Sequence, residues 1–297
     1  MKKAYFKYIV LFFGIIIFID FVGGIILKKY FEKISFGTYG IVNNSLKSNA
    51  EILILGSSRA MHHYNTEIIS DNLNLSCYNA GLGGYGLFYN YAILNEKVKN
   101  KLPKIVILDL SPNVIIDNKS YTKLNTLLPY YKNYSSFKEI ILLDSKFSKL
   151  ELISNLYVYN SVLYDFSRDI FDKNINDKNG YVPLEARMNE KDYRPIYLEK
   201  EYFDPNKIIY IKKIINLCKI ENIKLISVIS PTYDKYDVNN TIINEIRDIF
   251  NSENIEFYDY SDFSKLYKRP EFFKDQLHMN NMGSDIFSKD FSKKIKK

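Results

Sequence analysis

Three apolar patterns run along this chain. The first is one unbroken stretch, residues 8–27 (YIVLFFGIIIFIDFVGGIIL), in which Asp20 is the sole charge. Twenty residues at 1.5 Å rise each cover about 30 Å, one hydrocarbon core, so this stretch predicts a transmembrane helix. A secretory signal has a shorter apolar region and a small-x-small cleavage site. Here the run passes directly into Lys28, Lys29 and Tyr30, which reads as an uncleaved anchor. The second pattern is a set of short apolar runs bounded by turn residues: EILILG (51–56), LSCYNA (75–80), KIVILDL (104–110), KLISVIS (224–230) and IEFYDY (255–260). The third is helical periodicity between them, at 58–72, 86–100, 205–220, 240–250 and 281–295. In the helix opened by Pro205, for example, Ile208, Ile211, Ile214, Ile215 and Cys218 share one stripe. Buried strands alternating with helices predict an α/β domain whose parallel sheet is covered on both faces.

The alternation lapses between about residues 114 and 202, a long, tyrosine-rich and mainly helical insertion that closes at an Asn179-Gly180 turn. In an α/β fold it would hang over the strand C-termini as a lid or substrate platform, or serve as structural padding. The expected organisation is an anchor and flank over 1–35, then one α/β domain over 48–297 that carries this insertion.

Composition narrows the class. The chain has 297 residues, 46% of them hydrophobic, with 12 Gly and 2 Cys, which excludes disorder, collagen and a disulfide scaffold. A mean hydropathy of −0.21 excludes a polytopic membrane protein. Its 41 basic against 34 acidic residues give +7, spread over lysine-rich helices and tails without an aromatic-interleaved basic motif. That suits solvated faces near an anionic membrane or wall, and no nucleic-acid partner is expected. Lys2, Lys3 and Lys7 before the span nearly balance Lys28, Lys29 and Lys33 after it, so flanking charge leaves the orientation open. Asp20 costs about 2.5–3.5 kcal/mol at mid-membrane. It either faces a partner membrane protein, with Gly23 and Gly24 letting another helix approach, or is tolerated past the centre as a hydrated or protonated group.

Candidate chemistry sits after four of the predicted strands. Leu55-Gly56-Ser57-Ser58-Arg59 is a strand-to-helix turn, where Ser58 reads as a nucleophile beside helix-terminal N–H donors or as an N-cap. Residues 79–86 (NAGLGGYG) form a glycine loop able to offer N–H groups to an oxyanion. They also match G-x-G-x-x-G through Gly81, Gly83 and Gly86, with Asp109 as the ribose ligand of a dinucleotide alternative. In Asp109-Leu110-Ser111-Pro112-Asn113, the Asn113 amide is a further oxyanion donor or a turn cap. In Asp275-Gln276-Leu277-His278, the spacing lets the carboxylate reach Nδ1 of the imidazole and leaves Nε2 to take a serine proton. His62 and His63 lie one turn beyond Ser58, and His62 either lines the site or belongs to a polar helix face.

Ser, Gly, Asn and Asp-x-x-His, in that order and each after a strand, resemble the SGNH/GDSL hydrolase superfamily over about 230 residues from Glu51 onward. The aspartate usual after the first glycine is Ser57 here, and the third block reads Leu-Ser-Pro-Asn-Val instead of Leu-Gly-x-Asn-Asp. The resemblance implies a three-layer, flavodoxin-like SGNH fold with a parallel central sheet, one N-terminal transmembrane helix and no cofactor. It implies Ser58 as nucleophile, Asp275 and His278 as acid and base, and an oxyanion hole of the Ser58 and Gly84 N–H groups with the Asn113 side chain. The N-terminal anchor resembles the membrane-tethered branch, which includes relatives of the lipoteichoic acid D-alanylation protein and of polysaccharide O-acetylation proteins. That implies a single-pass protein of the bacterial cytoplasmic membrane with its domain extracytoplasmic, acting on an acylated (acetylated) glycan or other envelope polymer. The activity implied is that of an esterase or an O-acyltransferase. The alternative is a non-catalytic accessory partner of a multipass membrane acyltransferase. Cys77 and Cys218 are too few and too isolated for zinc, and are expected as buried thiols or a disulfide.

Overall fold

A computed structural model describes residues 2–116, 119–144, 152–160, 162, 178–194, 204–234 and 241–296. Its α-helices are α1 (Lys2–Phe31), α2 (Gly37–Lys47), α3 (Ser58–His63), α4 (Thr66–Leu73), α5 (Leu87–Asn100), α6 (Pro112–Ile116), α7 (Lys119–Thr122), α8 (Ser135–Ile141), α9 (Pro205–Ile220), α10 (Thr241–Ser252) and α11 (Asn281–Ile295). Two compact units divide the chain, Met1–Asn43 with Tyr121–Lys173, and Asn44–Ser120 with Asn174–Lys297.

The second unit is built on a five-stranded sheet of β1 (Ile52–Leu55), β2 (Cys77–Asn79), β3 (Ile105–Asp109), β4 (Lys224–Ile229) and β5 (Glu256–Asp259). All pairings are parallel and the order is β2-β1-β3-β4-β5, the flavodoxin-like doubly wound arrangement. The five apolar runs become these five strands: β1, β3 and β4 are β-branched and buried along nearly their whole length, as a doubly covered sheet requires, while the edge strands β2 and β5 read Cys-Tyr-Asn and Glu-Phe-Tyr-Asp. Ile54, Ile107 and Ile226 lie in register across the central strands. Together with Tyr64, Ile69, Phe287, Phe291 and Ile295 they form one core beneath α3, α4 and α11. The alternate residues Leu53, Leu55, Val106 and Leu108 are also buried, on the opposite face. There α5 and α9 pack together, and α9 packs on β4.

The expected helix over 58–72 breaks into α3 and α4 at Tyr64-Asn65. The Asn65 side chain accepts hydrogen bonds from the N–H groups of Glu67 and Ile68, so it caps α4 and forces the interruption. A stripe of serines on α11 then serves the broken ends. Ser288 Oγ accepts from Asn65 N at 2.8 Å and donates to the His63 carbonyl at 3.3 Å, and Ser292 Oγ accepts from Asn72 at 2.8 Å.

Buried polar groups tie α3 to the sheet. Asp109, at the end of β3, accepts from the Tyr64 hydroxyl at 2.7 Å and pairs with the Arg59 guanidinium at 3.4 Å, both charged side chains being at most 4% exposed. His63, fully buried, donates from Nδ1 to Ser230 Oγ at 2.9 Å and accepts the Met279 N–H at Nε2 at 3.0 Å. Burial, with the nearby Arg59 charge, holds the His63 imidazole well below its ordinary titration range. Cys77 and Cys218 are both buried and free.

The first unit has an aromatic core. Phe31 meets Tyr39, Tyr130 and Tyr159 edge-on at 5.1–5.6 Å between ring centroids. Asn43 donates to the Phe31 and Ile34 carbonyls and accepts from the Tyr130 hydroxyl. Tyr130 and Tyr159, both from the tyrosine-rich insertion, therefore pack on the chain's N-terminal region. The helix from Tyr5 to Phe31 is long and apolar enough to cross a membrane.

Two stability measurements follow from the buried network. Asp109→Ala leaves the Arg59 guanidinium without its carboxylate, and a loss of about 3–5 kcal/mol is expected in denaturant titration. His63 is neutral when folded and titrates near pH 6.5 when unfolded, so the unfolded chain takes up the extra proton as pH falls. Stability should therefore be complete above about pH 6.5 and decline by at most about 1.4 kcal/mol per unit below it on this residue's account. NMR of the imidazoles checks this: a His63 ring that titrates near pH 6.5 in the folded protein would sink it.

Candidate active site

Ser58 opens α3 directly after β1, and Ser57, the residue at the N-cap position, makes no side-chain capping bond. Ser58 Oγ lies 2.8 Å from His278 Nε2, and His278 Nδ1 lies 2.9 and 3.0 Å from the two carboxylate oxygens of Asp275. The Asp-x-x-His spacing works locally as expected. Asp275 Oδ1 also accepts from the N–H groups of Leu277 and His278, so one carboxylate shapes the turn and grips the imidazole. Burial alone would raise the Asp275 carboxyl, but the hydrogen bond and charge of His278 and these two N–H donors outweigh it and hold the carboxyl below its usual value. The turn is closed on either side by Lys274 N donating to the His278 carbonyl and by a bridge between Phe273 and Met279.

His278 is thus set from three directions. Asp275 fixes Nδ1 as the protonated nitrogen, which leaves Nε2 as the acceptor for the Ser58 hydroxyl proton. His63, from beneath, holds the backbone of the next residue, Met279. His62 stands beside it with ring centroids 5.7 Å apart and planes at 89°. The His62 ring donates from Nδ1 to the Val182 carbonyl at 2.7 Å. Burial outweighs that bond and depresses the His62 pKa to about 4, so it flanks His278 as a neutral ring. Of the two readings of His62, the structure places it beside the site, while its neighbour His63 is a core residue.

The glycine loop lies alongside. A Cβ on Gly83 would stand 3.7 Å from Ser58 Cβ. Gly84 has φ +81°, a conformation that a side chain disfavours. Asn79 pins the loop: its Oδ1 accepts from Gly81 N at 2.9 Å while its Nδ2 donates to the Ala60 carbonyl of α3 at 2.7 Å. Leu82 N donates to the Gly56 carbonyl, and Gly56 N to Asn90 Oδ1. Asn113 is the second residue of α6, and its side chain lies outside the described residues.

The dinucleotide alternative fails on Asp109, whose carboxylate is turned inward to Arg59 and Tyr64 and is 1% exposed. Among the described residues no group of three His, Cys, Asp or Glu is placed to hold a metal ion. The far end of the insertion does reach this region. Asn179 (φ +51°) and Gly180 (φ +84°) form the turn between Lys178 and Tyr181, and Gly180 packs too closely on the Asn79 backbone to carry a Cβ. Val182 N then donates to the Met61 carbonyl. The sequence carries no sign of the part played by Val182, and it shows Asn79 at the head of the glycine loop and His63 beside His62 without showing what either one holds.

No family model matches the chain. It is 28% identical over 112 residues to the DNA-directed RNA polymerase subunit beta' of Helicosporidium sp. subsp. Simulium jonesii, a match that takes in 37% of this chain and spans only 13% of that subunit. Solved structures similar in shape include an acylhydrolase of Bacteroides fragilis NCTC 9343, with 13% identity, TM-score 0.42, and coverage of 83% of this chain and 88% of that one. An acetyl xylan esterase has 14% identity, TM-score 0.41, and coverage of 82% and 97%. Another acetyl xylan esterase, from the rumen bacterium Butyrivibrio proteoclasticus, has 11% identity, TM-score 0.35, and coverage of 82% and 63%. At scores this low, the reading of the site rests on its own hydrogen bonds.

Proposed function

We propose that this chain is a serine-dependent acyl-ester enzyme of the SGNH type, tethered by α1 to the bacterial cytoplasmic membrane with its α/β unit outside, and acting on acyl esters of envelope glycans. The observation that carries this reading is the unbroken line of hydrogen bonds from Asp275 through His278 to Ser58. In the first half-reaction the Ser58 hydroxyl gives its proton to His278 Nε2 as Oγ attacks the ester carbonyl. The negative charge moves to the carbonyl oxygen, for which we assign an oxyanion hole of the Ser58 and Gly84 N–H groups with the Asn113 side chain. Collapse of the tetrahedral species breaks the ester C–O bond, and His278 returns the proton to the departing alkoxide, leaving acyl-Ser58. In the second half-reaction a water or a glycan hydroxyl gives its proton to His278 and attacks the acyl carbon, and collapse breaks the acyl–Oγ bond as His278 returns the proton to Ser58 Oγ. Water makes the protein an esterase, and a glycan hydroxyl makes it an O-acyltransferase. Asp275 keeps the imidazole in the productive tautomer and balances the imidazolium formed in each half.

The serine chemistry is tested with p-nitrophenyl acetate and a fluorophosphonate probe on the purified protein. Ser58→Ala should abolish labelling and reduce turnover by about 10³-fold or more, and Asp275→Asn should reduce kcat by about 10²–10⁴-fold through loss of the tautomer. Equal turnover in wild type and Ser58→Ala, with no label on Ser58, would rule out an acyl-enzyme and leave the non-catalytic accessory role beside a multipass acyltransferase. The direction of the reaction is read by mass spectrometry of envelope glycans from a deletion strain. Acyl groups gained on deletion mean an esterase, groups lost and restored only by the Ser58 form mean a transferase, and unchanged acylation defeats the glycan reading.

A further inference from the structure

Asp20 has an occupant within its own chain. Its carboxylate accepts from the Ser154 hydroxyl at 2.5 Å, the N–H groups of Asn155 at 2.8 Å and Leu156 at 3.1 Å, and the Asn155 side-chain amide at 2.9 Å. Lys132 Nζ completes the arrangement by donating to the Ile153 carbonyl at 2.6 Å and to Asn155 Oδ1 at 2.8 Å. Further along, Tyr157 N donates to Ser154 Oγ and Tyr159 N to the Leu156 carbonyl. Gly23 lies under the Leu156 side chain, and Gly24 lies so close under Asn155 that a Cβ there would collide with its Cβ. The thinned face of α1 is therefore filled by residues 153–156.

The depth of this contact follows from helix geometry. Asp20 precedes Lys28 by eight residues, about 12 Å along the axis. If only the stretch before Asp20 lay in the membrane, residues 8–19 would cover about 18 Å, well short of a 30 Å core. Asp20 and whatever is bonded to it must then lie within the apolar layer. Irregular backbone is tolerated at such depth only when its polar groups are satisfied by protein, and Asp20, Lys132 and Ser154 supply those partners here. Ile153, in the middle of this device, is 69% exposed, whereas Leu152 and Val158 are buried.

We infer that residues 152–158 insert beside α1 into the membrane leaflet at its C-terminal end, held by Asp20, with Ile153 facing lipid acyl chains. The inference rests on the proposal that α1 spans the membrane. Asp20 is thereby an internal clamp, in place of a contact for a second membrane protein.

The chain contains no tryptophan, so single-tryptophan variants report depth cleanly. The full chain is reconstituted in phosphatidylcholine vesicles with brominated acyl chains, carrying Phe12→Trp on the exposed face of α1, Ile153→Trp, or Ile220→Trp on the exposed side of α9. Quenching and a blue-shifted emission are expected for the first two and neither for the third. Adding Asp20→Ala, or Gly24→Val to break the close approach, should abolish the quenching at position 153 and leave that at position 12. Quenching at 12 without quenching at 153 overturns the insertion alone, and no quenching at 12 overturns the membrane reading as well. Quenching at 153 that survives both second substitutions overturns the clamp.

Discussion

A serine at position 58 and a histidine at position 278 must be held 2.8 Å apart across 220 residues of chain, and much of the second unit is arranged to meet that constraint. In a doubly wound sheet every strand leaves at the same edge, so the turn after β1 and the segment before α11 open on the same side. The order β2-β1-β3-β4-β5 places β1 near the middle, with β2 and the glycine loop on one flank and β3 on the other. Helix α11 then packs back across α3 and α4, and the histidine that precedes it is delivered to the serine that opens α3.

The positions are kept by buried polar groups, each matched to a partner. Asp109 holds Arg59 and Tyr64, one residue and six residues beyond the serine. Asn79 holds the glycine loop to α3, and His63 holds the backbone beside His278. Such groups are costly when unpaired and contribute little net stability when paired, so their effect is to fix one arrangement among several a purely apolar core would allow. Charge follows the same division. His62 and His63 are kept neutral by burial, while Asp275, half-exposed at the rim, stays ionised.

On the proposed membrane reading, the first unit meets a different solvent by similar means. Its helix carries one carboxylate among apolar residues, and that carboxylate is matched to the donors of a single irregular segment. In water such a cluster would be worth little. In a hydrocarbon layer an unsatisfied carboxylate or backbone N–H costs several kcal/mol, so each requires the other.

Much of this protein was legible in sequence because it depends on local spacing. The five apolar runs are the five strands, the helices at 205–220 and 281–295 fall where their periodicity puts them, and Asp275 reaches His278 because three residues across a turn suffice. Other features were decided by contacts between residues remote in sequence. Nothing near His63 announces that it is buried, because the Ser230 and Met279 groups that satisfy it arrive from 167 and 216 residues away. The break at Asn65 was written in its capping side chain but concealed by a continuous helical pattern, and the serines that serve it belong to α11. The insertion's tyrosines read as a lid, a substrate platform or structural padding, and two of them, Tyr130 and Tyr159, pack around Phe31. Asp20 read as a contact for another membrane protein or as tolerated polarity, because its partners lie some 135 residues on. Periodicity and spacing encode what a segment does with itself, whereas burial, pairing and charge state depend on which distant segment covers it, and only the folded chain supplies that.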